Sequence, residues 1–170
     1  MFDCNKSVGS NIAVVGFGGA GTNIIAKIVK NIKDRDDIML YYVNDEMRLK
    51  NVIFYEYSER RELVKELSDY NWVIMTARLG GGGGDSLVYV ANKLNNAYSA
   101  FVVFPFSVER SRIREAIRQL SSLDKTRVFV IRLDVLRKTV PYLRLDLALS
   151  LVDWAVVAGI LNLVGGIVYA

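Results

Sequence analysis

The chain of 170 residues has no histidine and a single cysteine, Cys4. The absence of histidine excludes Ser-His and Cys-His catalysis and removes the metal ligand that proteins use most often. One cysteine cannot form a disulfide within the chain, which fits a reducing compartment. No apolar signal segment follows Met1, so the sequence predicts a cytoplasmic protein. These absences leave no candidate catalytic residue and no candidate set of metal ligands.

The chain also lacks a strong charge of either sign, since its net charge is +4. Its densest basic stretch runs from Arg110 to Arg118 and is typical of a solvated helix face. The other Lys and Arg residues are scattered, so the sequence gives no reason to expect nucleic-acid binding. With 52% hydrophobic residues, the chain has enough apolar surface for one domain spanning residues 1–170.

Short apolar runs alternate along the chain with segments of helical periodicity. This alternation predicts a three-layer α/β protein, a parallel sheet flanked by helices in the Rossmann manner. Ligands of such sheets bind beyond the carboxyl ends of the strands. The predicted strands are residues 11–16, 38–43, 52–55, 72–76, 100–104 and 128–131, and the predicted helices are residues 22–32, 58–67, 87–94, 109–123 and 134–139.

Residues 145–170 form a different kind of segment, because Asp146 and Asp153 are its only charges. A helix that is apolar on all sides is buried in a protein core or in a membrane. The uncharged stretch from Trp154 is at the short limit for a membrane span, and basic residues precede it. We expect a long apolar helix in a core or an interface, with a membrane anchor as the less favoured alternative.

The first of two glycine-rich turns follows the first predicted strand and reads Gly16-Phe-Gly18-Gly19-Ala-Gly21. Its spacing fits the G-x-G-x-x-G fingerprint of dinucleotide-binding proteins, in which the pyrophosphate lies at a helix N-terminus. Asp45 ends the second predicted strand, near the place of a ribose-binding acid. Taken alone, this turn predicts NAD(P) binding.

The second turn consists of five consecutive glycines, Gly80 to Gly84, after the apolar run that begins at Trp72. Glycine is costly to order, so such a run indicates close backbone approach or unusual dihedral angles. Before a helix, the usual purpose is to point backbone N–H groups at an anion. A nicotinamide-binding protein gives no reason for this second run.

Together the two turns resemble the nucleotide loops of the FtsZ/tubulin family. The segment from Ile12 to Asn23, IAVVGFGGAGTN, is similar to the first FtsZ loop, roughly IKVIGVGGGGGN. Residues 77–86, ARLGGGGGDS, occupy the place of the signature GGGTGTG. Residues 103–109, VFPFSVE, resemble KPFNFEG, and residues 131–136, IRLDVL, resemble IPNDKLL. The matches occur in the family's order.

The resemblance implies a domain that binds GTP or GDP, with Mg²⁺ as an optional partner. The implied nucleotide contacts are Gly18, Gly19, Gly21, Thr22 and Asn23 in the first loop, Gly82, Gly83, Gly84, Asp85 and Ser86 in the second, and Glu109 and Arg112 beyond them. In the family, the acid that Glu109 matches holds the ribose. Asp85 replaces a threonine, and we expect it to cap the next helix. Its carboxylate would then face the phosphates and oppose binding.

The chain ends at the helix that resembles the family's central helix, without the catalytic loop or the second domain. We therefore expect a GTPase at most, with little hydrolysis, acting in assembly, regulation, the cytoskeleton or cell division. The apolar helix at residues 145–170 predicts pairing with a second copy or a partner protein. Two alternatives remain open. One is a Rossmann-type NAD(P)-binding protein, and the other is a nucleotide-free interaction module that uses this helix as its interface.

Overall fold

A computed structural model describes residues 11–32 and 35–165; Cys4 lies outside this part of the chain. The fold has three layers, a six-stranded sheet between two layers of helices. The strands are β1 (Ile12–Phe17), β2 (Ile38–Val43), β3 (Ile53–Tyr55), β4 (Trp72–Arg78), β5 (Ala97–Phe104) and β6 (Val128–Arg132). The α-helices are α1 (Gly18–Val29), α2 (Arg60–Leu67), α3 (Gly82–Lys93), α4 (Arg110–Ser121), α5 (Leu133–Thr139) and α6 (Leu145–Leu163).

Every strand pair in this sheet is parallel, and the spatial order is β3-β2-β1-β4-β5-β6. The predicted Rossmann-like α/β class is therefore confirmed. The order reverses beside β1, whose Ile12 lies opposite both Ile38 of β2 and Trp72 of β4. Parallel strands buried on both faces need continuous apolar runs, which β1 and β4 supply. The reversal opens a crevice at the carboxyl ends of β1 and β4, where such folds bind ligands.

Two hydrophobic cores lie on opposite faces of the sheet. On one face, Leu63 of α2, Leu87 of α3 and Ala116 of α4 pack against inward residues of the strands. On the other face, Ile25 of α1 and Val156 of α6 pack against the alternate residues. The helices thus bury both faces of the central strands, as a parallel sheet requires.

Two helices begin a full turn or more earlier than predicted. Helix α1 begins at Gly18 and not at Thr22, and helix α3 begins at Gly82 and not at Leu87. Glycine has a low intrinsic helix propensity, so the glycines at these positions did not predict a helix. Packing overrides that propensity here, because the first turn of each helix lies against the other glycine-rich segment. The glycines are therefore part of the helix N-termini and not merely loops before them.

Helix α6 is buried on one face only. Val152, Val156 and Ile160 are buried, whereas Leu151 and Trp154 on the outer face are 51% and 42% exposed. Asp153, a charge in an otherwise apolar stretch, accepts a hydrogen bond from Lys27 Nζ at 2.7 Å. By length and composition α6 could cross a membrane, a test that core helices of soluble proteins also pass. Pairing of its outer face with a second copy, a partner or a membrane stays a prediction, which the mass of the protein in solution tests.

Candidate functional site

Two glycine-rich helix N-termini meet at the reversal point of the sheet. Phe17, the last residue of β1, lies opposite Ala77 of β4, so both turns leave the sheet side by side. A Cβ atom on Gly18 would lie 3.3 Å from the Cα of Gly83, and one on Gly83 would lie 2.9 Å from the carbonyl oxygen of Phe17. The structure therefore brings together the two turns that the sequence singled out.

In the first turn, closeness to neighbouring backbone explains two of the glycines. A Cβ on Gly16 would lie 2.3 Å from the carbonyl oxygen of Gly21, and one on Gly21 would lie 2.9 Å from that of Thr76. Gly18 has a φ of +69°, in the left-handed region that favours glycine. A Cβ on Gly19 would meet nothing within 4 Å, so this residue faces open space.

Thr22 and Asn23 take different places on α1. Thr22 is buried, and its Oγ1 donates to the carbonyl oxygen of Gly18 at 2.8 Å. The same Oγ1 accepts from Asn44 Nδ2 at 3.2 Å, which ties the turn to the end of β2. Thr22 thus stabilises the turn through two hydrogen bonds, whereas Asn23 lies on the exposed surface of the helix.

In the second turn, three glycines lie in close contact with helix α4 or the first turn. Gly80 has a φ of +88°, and a Cβ there would lie 2.6 Å from the carbonyl oxygen of Arg112. A Cβ on Gly84 would lie 2.3 Å from Gln119 Oε1, and Gly83 lies against Phe17. Gly81 and Gly82 face open space. Packing therefore explains the second run of glycines, which nicotinamide binding alone does not explain.

Gln119 holds the second turn and was missed by sequence reasoning. The backbone N–H of Gly80 donates to Gln119 Oε1 at 2.7 Å, and Gln119 Nε2 donates to the carbonyl oxygen of Gly81 at 3.1 Å. The side chain is fully buried. A glutamine within a polar helical segment carries no motif, and only its tertiary contacts reveal the role.

The expected capping role of Asp85 is wrong. Gly81 occupies the N-cap of α3, and Asp85 is the fourth residue of the helix. Its carboxylate accepts from Arg118 Nη2 at 2.6 Å and from Gln119 Nε2 at 3.1 Å. The carboxylate is therefore engaged by α4 and paired with a cation, so the predicted repulsion of a phosphate loses its basis. Ser86 and Gly84 are buried in the same helix.

Neither α1 nor α3 has a side chain that caps its N-terminus. The N-cap residues are Phe17 and Gly81, and neither makes a side-chain capping hydrogen bond. The first N–H groups of a helix have no partner within the helix. Uncapped N–H groups and the positive end of the helix dipole form an anion-binding surface, lined here by Gly19, Gly81 and Gly82.

Glu109 and Arg112 border the second turn and form an ion pair with each other. One carboxylate oxygen of Glu109 pairs with Arg78 and accepts from the backbone N–H of Phe106 at 3.2 Å. The other oxygen lies 3.5 Å from Arg112 Nη1. The carboxylate of Glu109 therefore lies in an ion-pair network with two arginines, and the ribose contact that the resemblance implied for it stays a prediction.

Asp45 and Tyr57 lie on the other side of the first turn. The hydroxyl oxygen of Tyr57 would be 3.1 Å from a Cβ on Gly18. Burial raises the pKa of Tyr57, and the negative charge of Asp45 raises it further. Tyr57 therefore keeps its proton and can donate a hydrogen bond at the edge of the turn. No sequence motif marks Tyr57, whereas Asp45 was found from its place after β2.

The strand order and the glycine-lined helix N-termini define a Rossmann-type α/β protein. No protein-family model matches the chain. An uncharacterized protein of Archaeoglobus fulgidus is 37% identical over 115 residues, which are 67% of this chain and 66% of that protein. The match thus spans just under two thirds of the relative's length.

Three solved structures resemble the fold, each at 14% identity. Two are a short-chain dehydrogenase/reductase from Veillonella parvula, one of them in complex with NADP, with TM-scores of 0.46 and 0.45; both cover 71% of this chain and 67% and 66% of theirs. A short-chain dehydrogenase family protein from Francisella tularensis has a TM-score of 0.44 and covers 82% of this chain and 80% of its own.

These comparisons correct two expectations. The expected FtsZ-like and tubulin-like role in the cytoskeleton or cell division is unsupported: the solved structures that resemble the fold are short-chain dehydrogenases/reductases. The expected GTP or GDP ligand finds no support either: one of these structures is in complex with NADP, a dinucleotide. Of the alternatives that the sequence left open, the Rossmann-type one agrees with the fold.

Proposed function

We propose that the chain is a dinucleotide-binding protein that takes NAD or NADP at the carboxyl edge of β1 and β4. The observation that carries the proposal is the turn from Gly16 to Gly21. Gly16 and Gly21 pack backbone against backbone, Gly18 has a left-handed conformation, and Gly19 is open. In the dinucleotide fingerprint the first glycine permits the tight turn and the third permits close helix–strand packing, and the backbone contacts of Gly16 and Gly21 fit these two roles. The pyrophosphate would bind the uncapped N–H groups of α1.

The charges near the turn favour NAD over NADP. Asp45 follows β2 and lies near enough to Tyr57 to raise the pKa of its hydroxyl. A carboxylate at this position accepts hydrogen bonds from a ribose 2′-hydroxyl and repels a 2′-phosphate. Arg48, the nearby cation, is paired with Glu46 at 3.3 Å. We expect NAD to bind more tightly than NADP, and Asp45→Asn to narrow that difference.

Titration calorimetry with NAD, NADP and GTP tests the proposal, with GTP as the control for general nucleotide binding. Gly19→Glu places a carboxylate in the open space of α1, beside the proposed pyrophosphate. At an intermediate dielectric, this repulsion should weaken NAD binding about a hundredfold. The matched control is Asn95→Glu, which adds the same charge at the amino edge of the sheet, just before β5.

The control should bind NAD as the unaltered protein does. The proposal fails if the protein binds neither NAD nor NADP, or if both glutamate variants bind equally well. A far-ultraviolet circular dichroism spectrum and a melting curve show that Gly19→Glu is folded. That variant should fold normally, because a Cβ at this position meets no other atom within 4 Å.

A further inference from the structure

A cavity of about 380 Å³ lies at the carboxyl ends of β4 and β5, beyond the Glu109 ion-pair network. Its volume falls within the range of small-molecule sites, and such sites combine apolar walls with few polar groups. At the volume that one water molecule occupies in the liquid, the cavity has room for about a dozen non-hydrogen atoms. The apolar wall residues include Phe106, Leu136, Pro141, Leu145 and Leu149, from the β5–α4 connection, α5, the α5–α6 connection and α6.

The polar groups of this cavity carry an excess of positive charge. Arg78, Arg137 and Glu109 line it, and Glu109 pairs with Arg78. Arg137 is exposed and has no ion-pair partner within the described part of the chain. The buried Nε of Arg78 has no hydrogen-bond partner among the described residues. One carboxylate therefore faces two guanidinium groups, so the cavity lacks one negative charge.

Apolar side chains at the mouth of the cavity are left open to solvent. Val108, Val140 and Leu145 are 66%, 44% and 60% exposed, and all three line the cavity. Clustered apolar exposure of this kind marks a binding surface more often than scattered single residues do. An occupant with an apolar body would cover these side chains while its charged group met the guanidinium groups.

We propose that this cavity binds a compact apolar carboxylate, an aromatic or branched aliphatic acid of about a dozen non-hydrogen atoms. A planar carboxylate matches the guanidinium fork of Arg137 or Arg78 and can accept two parallel hydrogen bonds. The apolar body of the acid packs against Phe106, Leu136 and Leu149. This site goes beyond dinucleotide binding and does not depend on it, since the proposed pyrophosphate lies at Gly19.

Two probes of the same shape test the proposal, 1-naphthoate and the uncharged 1-naphthylmethanol. Both fill the apolar cavity, and only the first carries a carboxylate. We expect naphthoate to bind at least tenfold more tightly, measured by naphthalene fluorescence or by calorimetry. Equal affinity for the two probes, or no binding of either, would overturn the proposal.

Two variants of the cavity should change naphthoate affinity in opposite directions. Arg137→Gln removes a cation and should weaken naphthoate about fivefold, the size expected for an exposed ion pair. Glu109→Gln removes the competing carboxylate from Arg78 and should strengthen it by a similar factor. Naphthylmethanol should bind both variants as it binds the unaltered protein, which shows that the cavity is intact. An unchanged naphthoate affinity in both variants contradicts the proposal.

Two controls separate this site from general charge effects and from the dinucleotide site. Lys93→Gln removes a positive charge at the carboxyl end of α3, away from the cavity, and should leave naphthoate binding unchanged. Gly19→Glu should weaken NAD binding about a hundredfold and leave naphthoate binding intact. If Lys93→Gln weakened naphthoate as much as Arg137→Gln, the attraction would be a property of the whole surface and the proposal would fail.

Discussion

The two glycine-rich turns differ in what holds them. The first turn closes on its own backbone, since Gly16 and Gly21 touch each other and β4. The second turn is held from outside, by Gln119 and Arg112 of α4. In both turns only some glycines are required by the fold, and the others face open space. A glycine-rich segment therefore combines structural positions with positions that are free for a ligand, and only neighbouring atoms distinguish them.

The largest effect should come from the first turn. Gly21→Ala places a Cβ 2.6 Å from the carbonyl carbon of Gly16 and 2.9 Å from the carbonyl oxygen of Thr76. Both contacted atoms belong to the backbone of the central strands β1 and β4, so neither can move without disrupting the sheet. We expect the free energy of unfolding to fall by about 3 kcal/mol or more. Urea denaturation monitored by circular dichroism measures it, and a loss under 1 kcal/mol would contradict the tight packing.

The second largest loss of stability should come from a substitution at Gly80, the first glycine of the second turn, which packs against helix α4. Gly80→Ala combines a left-handed φ of +88° with a Cβ 2.6 Å from the carbonyl oxygen of Arg112. The α4 helix can shift slightly, so we expect a smaller loss, about 2 kcal/mol. Gly81→Ala is the neighbouring control, because its φ of −161° is extended and its Cβ would meet nothing. Similar losses in the free energy of unfolding for Gly80→Ala and Gly81→Ala would show that the contacts of Gly80 do not stabilise the turn.

A double variant of Gln119 and Gly84 tests whether helix α4 stabilises the second turn. Gln119→Ala leaves the Gly80 N–H without its partner and should cost about 1.5 kcal/mol. Gly84→Ala alone places a Cβ 2.3 Å from Gln119 Oε1. In the double variant that clash disappears, so the combined loss should be smaller than the sum of the single losses. Additive losses in urea denaturation would mean that Gly84 and Gln119 do not interact.

The smallest effect, and one of opposite sign, is expected at the open positions. Gly19→Ala puts a methyl group into open space at a helical position. Alanine reduces the freedom of the unfolded chain, so the variant should be more stable by about 0.5 kcal/mol. The same urea series measures this, with Gly21→Ala as the comparison two residues further on. A destabilised Gly19→Ala would show that Gly19 also has a structural role.

The strands were predictable because a parallel sheet buries its central strands on both faces, which leaves continuous apolar runs in the sequence. The start of β5 was missed by three residues, since Tyr98 and Ser99 continue the pairing with β4 although they interrupt the apolar run. The helix starts at Gly18 and Gly82 could not be found from propensity. Their helical conformation depends on contacts between segments that lie far apart in the sequence.

The candidate site was predictable only in part. The spacing of Gly16, Gly18 and Gly21 identified the first turn, and the place after β2 identified Asp45. The orientation of Asp85 depends on Arg118 and Gln119, which lie on another helix and carry no motif. In the second turn Gly83 and Gly84 pack against neighbouring elements, whereas the resemblance implied that they contact phosphate.

The central position of β1 has a consequence for the nascent chain. β1 pairs with β2 on one side and with β4 on the other, and β4 follows only after β2, β3 and α2. While the chain is being synthesised, one edge of β1 therefore stays open until Trp72–Arg78 has been made. An unpaired apolar strand edge can pair with another chain. Slow synthesis between β3 and β4 should therefore favour aggregation through this edge of β1.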